Sequence, residues 1–126
     1  MNNYRKIKSF TDLDAWRSGH GLVLKIYKAT EKFPREEIFG LTNQMRRAAV
    51  SITSNIAEGF SRSSDKDRIN FYKISCGSLT ELQNQLLIAR DVGYLDADLF
   101  NSLSNASVKT HQILSGLIRS TKARNN

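Results

Sequence analysis

Apolar residues recur along the chain at steps of three and four, in four runs separated by short polar or glycine-bearing stretches. That spacing places apolar side chains on one side of a helix. The first run holds Leu13, Trp16, Val23, Ile26 and Tyr27, widened by Leu22 and Leu24. Thr11 or Asp12 is placed to cap it, and it should stop near Lys32, because the residue before Pro34 avoids helical angles. Gly19 and Gly21 interrupt it; they weaken a helix but admit a close neighbour. The second run holds Leu41, Met45, Ala48, Ile52, Ile56 and Phe60, with Glu36 and Glu37 suited to a helix start. The third opens at Ser64, a cap with Asp67 three residues on. Ile69, Tyr72 and Cys76 mark one side of it, and Phe71, Ile74, Leu79, Leu82, Leu86 and Ala89 another. With Leu87 and Ile88 added, this surface is broad enough to pack in a bundle and against a second subunit. Gly93 suits a helix end and Asp96 the next cap. The fourth run holds Leu99, Leu103, Ala106, Ile113 and Leu117.

No segment alternates with a period of two for long enough to demand a strand. Short connections make consecutive helices antiparallel. The predicted fold is therefore all-α, an antiparallel up-down four-helix bundle over residues 12–120. Its helices cover about 12–32, 36–60, 65–91 and 96–120. Residues 1–11 read as a short basic arm and 121–126 as a frayed tail.

The second helix carries polar side chains beside its apolar stripe. Arg47, Ser51, Asn55 and Glu58 fall at steps of four, four and three, with Arg46 on the next strip. The third helix offers Gly77, Ser78, Glu81 and Gln85. Small side chains at Gly77 and Ser78 admit another helix. Glu81 or Glu58 is the expected partner of Arg46 or Arg47, and Asn55 should bond Gln85 or a backbone carbonyl. A buried network of this kind is unfavourable unless every member is satisfied, and its expected use is register and partner choice.

Charge changes the picture next. The net charge is +7, and it is uneven. Residues 1–35 hold eight basic and three acidic groups; residues 99–126 hold four basic and no acidic ones. A basic face follows if the ends meet in space, which points to a polyanion such as RNA or DNA. The candidate phosphate contacts are Arg5, Lys6, Lys8, Lys25, Lys28, Arg119, Lys122 and Arg124.

Other chemistry finds little support. Glu58 has no nucleophile, histidine or second carboxylate at helical spacing, so no catalytic residue is assigned and the chain is read as non-enzymatic. A single Cys76 and two histidines, His20 and His111, supply neither a disulfide framework nor a metal set, and no cofactor is implied. No apolar run approaches a membrane span, and the first ten residues lack a signal's hydrophobic region, so the cytoplasm is the expected compartment.

Two stretches carry a family resemblance. "FTDLDAWRSGHGLVLKIYKATEKFPREEIFGLTNQMRRAAVSITSNIAEGFSR" and "FYKISCGSLTELQNQLLIARDVGYL" resemble the S23 family, four-helix-bundle proteins encoded in intervening sequences of bacterial 23S ribosomal RNA genes. The resemblance runs from Phe10 to about Ser120. It implies a four-helix bundle that assembles as a homopentamer, similar in fold to the basic accessory protein of diversity-generating retroelements. Arg46, Arg47, Ala48, Ser51, Asn55, Ala57, Glu58 and Gly59 match the first family motif. Gly77, Ser78, Glu81, Leu82, Gln85 and Leu86 match the second. They look like assembly residues. Thr53 stands where the family commonly has proline, and a threonine there can bond a preceding carbonyl. Gln83 stands where a glutamate is common. Three functions are weighed: first a homo-oligomer associated with nucleic acid, then a protein-binding scaffold with no direct nucleic-acid contact, and last an enzyme, which would need a pocket holding Glu58 or Glu81 beside His20 or His111.

Overall fold

The computed structural model describes residues 6–124. Four helices carry the fold: α1 (Asp14–Thr30), α2 (Leu41–Ser61), α3 (Asp65–Asp91) and α4 (Ala97–Ala123). Short 3-10 turns at Phe10–Asp12 and Arg35–Glu37 precede α1 and α2. There is no strand among the described residues.

Cross-helix contacts fix the topology. Gly59 meets Tyr72 and Ser51 meets Ser78, so α2 and α3 run antiparallel. Gly19 lies against Thr53 while Arg46 reaches Thr30, which sets α1 against α2 in the same sense. Ser18 bonds Thr110 and Leu13 shares a cavity with Leu117, so α4 returns along α1. Gln83 meets Ser107 and Asp65 meets Arg124, which makes α3 and α4 antiparallel too. Each helix therefore touches the next, and α4 closes the ring on α1.

The apolar stripes meet inside. Leu22, Ile26, Met45, Ile52, Ile56, Leu79, Leu82, Leu86, Leu103 and Leu114 are each at most 1% exposed. Burying one such side chain stabilises a fold by about 1.5–3 kcal/mol. Small residues set the helix spacing. A Cβ added at Gly59 would lie 2.8 Å from Tyr72 Cε1, and one at Gly19 would lie 3.0 Å from Thr53 Cγ2. Gly19 is thus the close-approach glycine of α1. Gly21 is not, because a Cβ there meets nothing within 4 Å.

Helix ends follow local chemistry. Ser64 accepts from the Asp67 N–H at 3.1 Å, and Asp96 accepts from the Leu99 N–H at 2.8 Å, as their caps predict. Gly93 ends α3 at φ +89°, and the Tyr94 N–H reaches back to the Ala89 carbonyl at 2.8 Å.

Other ends differ from expectation. Neither Thr11 nor Asp12 caps α1; Leu13 precedes it without a side-chain cap. Asp12 instead closes the preceding turn, accepting from the Lys8 and Ser9 N–H groups at 2.9 and 3.1 Å. The start expected at residue 36 falls at Leu41, because Gly40 leaves helical angles and Glu37 caps the new start. The tail expected to fray from 121 stays helical to Ala123, held by buried Thr121 and by Arg124 on Asp65.

Candidate assembly network and nucleic-acid interface

Part of the polar row on α2 bridges to α3. Ser51 and Ser78 share a 2.8 Å hydroxyl contact. Asn55 donates to the Ser51 carbonyl at 2.8 Å and to its hydroxyl at 3.0 Å. Ser78 bonds the Ile74 carbonyl at 3.3 Å, and buried Ser75 donates to the Ile52 carbonyl at 2.7 Å. Small hydroxyls suit this seam, because they satisfy themselves on helix carbonyls where bulk would hold the helices apart. Thr53 does the same on the Val50 carbonyl at 3.1 Å. Gln83 bonds Ser107 at 3.3 Å, tying α3 to α4.

The arginines break the expected pattern. Arg46 does not reach Glu81 or Glu58. Its Nε donates to Thr30 Oγ1 at 2.9 Å, and its guanidinium lies 4.6 Å from the Tyr27 ring centroid, so it ties α2 to α1. Arg47 is exposed and forms no ion pair among the described residues. Glu58 turns along its own helix to Arg62 at 3.5 Å and Ser61 at 3.1 Å. Glu81 accepts only from Gln85, at 3.3 Å, and Gln85 Oε1 is buried with no hydrogen-bond partner. Asn55 takes a backbone carbonyl, not Gln85. Gly77 faces open space, so no helix of this chain uses the close approach it offers. Ser78 does receive α2.

The basic candidates separate into two groups. Arg5 lies outside the described residues. Ile7 lines one cavity with Leu117, Ser120 and Arg124, so Lys6 and Lys8 sit beside the last turns of α4, which carry Arg119 and Lys122. Of the described residues, those next to Ile7 and those at the end of α4 lie together there. Arg124, however, is held on Asp65 at 2.7 Å, a carboxylate it shares with Arg68. Lys25 and Lys28 stand well away on α1, roughly 16 Å along its axis from Asp14 to Lys25 at 1.5 Å per residue.

A feature absent from the sequence reading lies at the opposite end. Phe39 is 94% exposed, the most open of the large apolar side chains. With Ile38, Val50, Tyr27 and Arg47 it borders an open groove of about 820 Å³. Phe39 precedes the turn at Gly40, where the backbone leaves helical angles before α2 begins.

Burial pushes the Cys76 thiol up, which disfavours the thiolate and its reactivity. His20 is stacked on Trp16 at 4.6 Å. No group of three or more His, Cys, Asp or Glu among the described residues could hold a metal ion. No helix of the described residues is long and apolar enough to cross a membrane.

A sequence model of the 23S rRNA-intervening sequence protein family matches residues 11–116. The chain belongs to that family. A crystal structure of a protein of unknown function from the S23 ribosomal protein family of Bacteroides thetaiotaomicron superposes with a TM-score of 0.74. It shares 22% identity, over 82% of this chain and 97% of the other. That likeness shows the four-helix fold. No curated protein is significantly similar.

In this member of the family, the residues that match the family motifs divide by environment. Ala48, Leu82 and Leu86 are buried, and Gly59 is pressed against Tyr72. Arg47, Gly77 and Glu81 face outward. Packing within one chain accounts for the first set and leaves the second without a role in the bundle.

Proposed function

We propose that this protein is a non-enzymatic homo-oligomer, a homopentamer, that associates with RNA or DNA through basic surfaces. The observation that carries the nucleic-acid part is charge left uncompensated. Lys6, Lys8, Lys25, Lys28, Arg119 and Lys122 are exposed and form no ion pair among the described residues. Such cations neutralise phosphates and release counterions, giving binding with weak sequence preference and strong salt dependence. Repetition around an oligomer multiplies weak contacts. Assembly is supported by outward Arg47, Gly77 and Glu81, and by Ile74, Leu87 and Ile88, each at least 43% exposed on α3. The subunit number rests on the family resemblance. The test is a titration of purified protein with labelled structured RNA and duplex DNA at two salt concentrations, with light scattering on the same sample. Saturable, salt-weakened binding by a pentamer is expected; salt-insensitive binding or none overturns the nucleic-acid reading.

The bare Phe39 and its groove favour a second reading, a protein-binding scaffold without nucleic-acid contact. It becomes the leading one if the pentamer forms and binds neither nucleic acid.

A further inference from the structure

The outer seam between α1 and α4 holds an open groove of about 450 Å³. Three cations line it, Arg17 and Lys25 from α1 and Lys109 from α4, and no carboxylate does. Lys25 and Lys109 have no ion-pair partner among the described residues. Arg17 Nε donates to the Thr11 carbonyl at 2.9 Å, and its guanidinium pairs with Asp12 at 3.9 Å, a carboxylate outside the groove's lining. Ser102 and Asn105 add neutral donors to the wall.

Gly21 makes the groove what it is. It sits in the middle of α1, where glycine weakens a helix relative to alanine. No neighbour in this chain requires it, because an added Cβ would meet nothing within 4 Å. Its effect is to keep the wall between Arg17 and Lys25 clear. Glycine at such a place lets a ligand approach the backbone.

We infer that this α1–α4 groove seats the phosphate backbone of a nucleic-acid strand, held by Arg17, Lys25 and Lys109. The inference rests on the nucleic-acid reading above and locates its contact surface. Arg17 and Lys25 are separated by about 12 Å along the helix axis at 1.5 Å per residue. That axial span corresponds to three to four phosphates of one strand at the duplex rise of about 3.4 Å, and to fewer in an extended single strand. Packed helices lie about 8–10 Å apart, so the groove between them is shallow and suits a backbone better than a whole duplex. Contacts of this kind position a strand without reading its bases. Arg17 and Lys109 are not among the phosphate contacts expected from the sequence; the fold brings Lys109 to α1.

Three variants test the groove with a labelled single-stranded RNA as probe. Lys25→Gln/Lys109→Gln removes two phosphate contacts. By counterion release at about 0.7–0.9 ions per contact, binding should weaken by roughly 15- to 30-fold near ~0.15 M salt, with a flatter salt slope. Gly21→Gln changes no charge and fills the wall. It should weaken binding while raising the melting temperature, so loss of fold cannot explain the result. Arg119→Gln/Lys122→Gln, at the bundle's end, should have the smaller effect. If the end variant loses binding and both groove variants bind like the wild type, the groove assignment falls and the nucleic-acid reading stands. If the wild type binds no RNA even at low salt, both fall. If polyglutamate displaces the RNA at equal charge concentration, the groove is a general anion surface and the assignment falls.

Discussion

The Tyr94 hydroxyl donates to Glu37 Oε2 at 2.8 Å, joining the turn after α3 to the turn before α2. The other carboxylate oxygen accepts from the Leu41 N–H at 3.1 Å, so one side chain caps α2 and anchors a distant loop. The Leu41 bond first, and the Tyr94 bond second, hold the Glu37 carboxyl below its ordinary value of 4.5. A lowered carboxyl stabilises the fold above the unfolded value, and that contribution disappears as pH falls through the folded one. Glu37→Gln should therefore flatten the acid side of a plot of melting temperature against pH. The same bond raises Tyr94, so Tyr94→Phe should remove a loss of stability on the alkaline side. A Glu37→Gln variant that melts in acid just as the wild type does would refute the assignment.

Gly59 and Gly77 should respond oppositely to alanine. At Gly59 the new methyl meets Tyr72 at 2.8 Å and Phe71 at 3.0 Å, and overpacking of this kind costs about 1–3 kcal/mol. At Gly77 it meets nothing within 4 Å, so the isolated chain should gain about 0.5–1 kcal/mol of helix stability. Urea melts measure both. If Gly77→Ala also lowers the assembled mass, Gly77 lies where subunits approach.

The hydroxyl seam should be costly to open. Ser75→Ala removes a fully buried donor from the Ile52 carbonyl and should destabilise by about 1 kcal/mol. A double-mutant cycle on Ser51 and Ser78 should give a coupling of about 0.5–1.5 kcal/mol. A coupling near zero would mean that the 2.8 Å contact adds nothing to stability.

Glu81→Ala separates folding from assembly. Glu81 is exposed, and its side chain accepts one hydrogen bond among the described residues, from Gln85, so stability should change by less than about 0.5 kcal/mol. If Glu81 belongs to the subunit contact, light scattering will show a lower mass. An unchanged mass would remove it from the assembly set.

Periodicity and caps made most of the bundle legible, because both are local. Ser64, Gly93 and Asp96 act as their residue types dictate. The start of α2 departs from its pattern for an equally local reason: Glu36 and Glu37 suit a helical first turn, but Gly40 intervenes and Glu37 caps from outside. Spacing along α2 put Arg46 and Arg47 near the polar row without saying which helix each would face. Arg46 turned to Tyr27 and Thr30 on α1. Pairings such as Ser18 with Thr110, 92 residues apart, have no trace in a one-dimensional pattern. For the same reason the nearness of Arg17 and Lys109 emerges only from the fold.

Because Ile7 and Arg124 line one cavity, the first and last helices begin and end at the same pole of the bundle. A short linker between them would turn the α1–α4 pairing into an ordinary hairpin. New ends could then open in the loop at 62–64. In such a circular permutant the ring closure that now joins the two extremes of the sequence becomes a local contact, and the loop entropy it must overcome falls. The α2–α3 pair, which is packed more extensively, would become the distant contact instead, so the architecture would be unchanged while folding slowed, since rates follow how far apart in sequence the contacting residues lie.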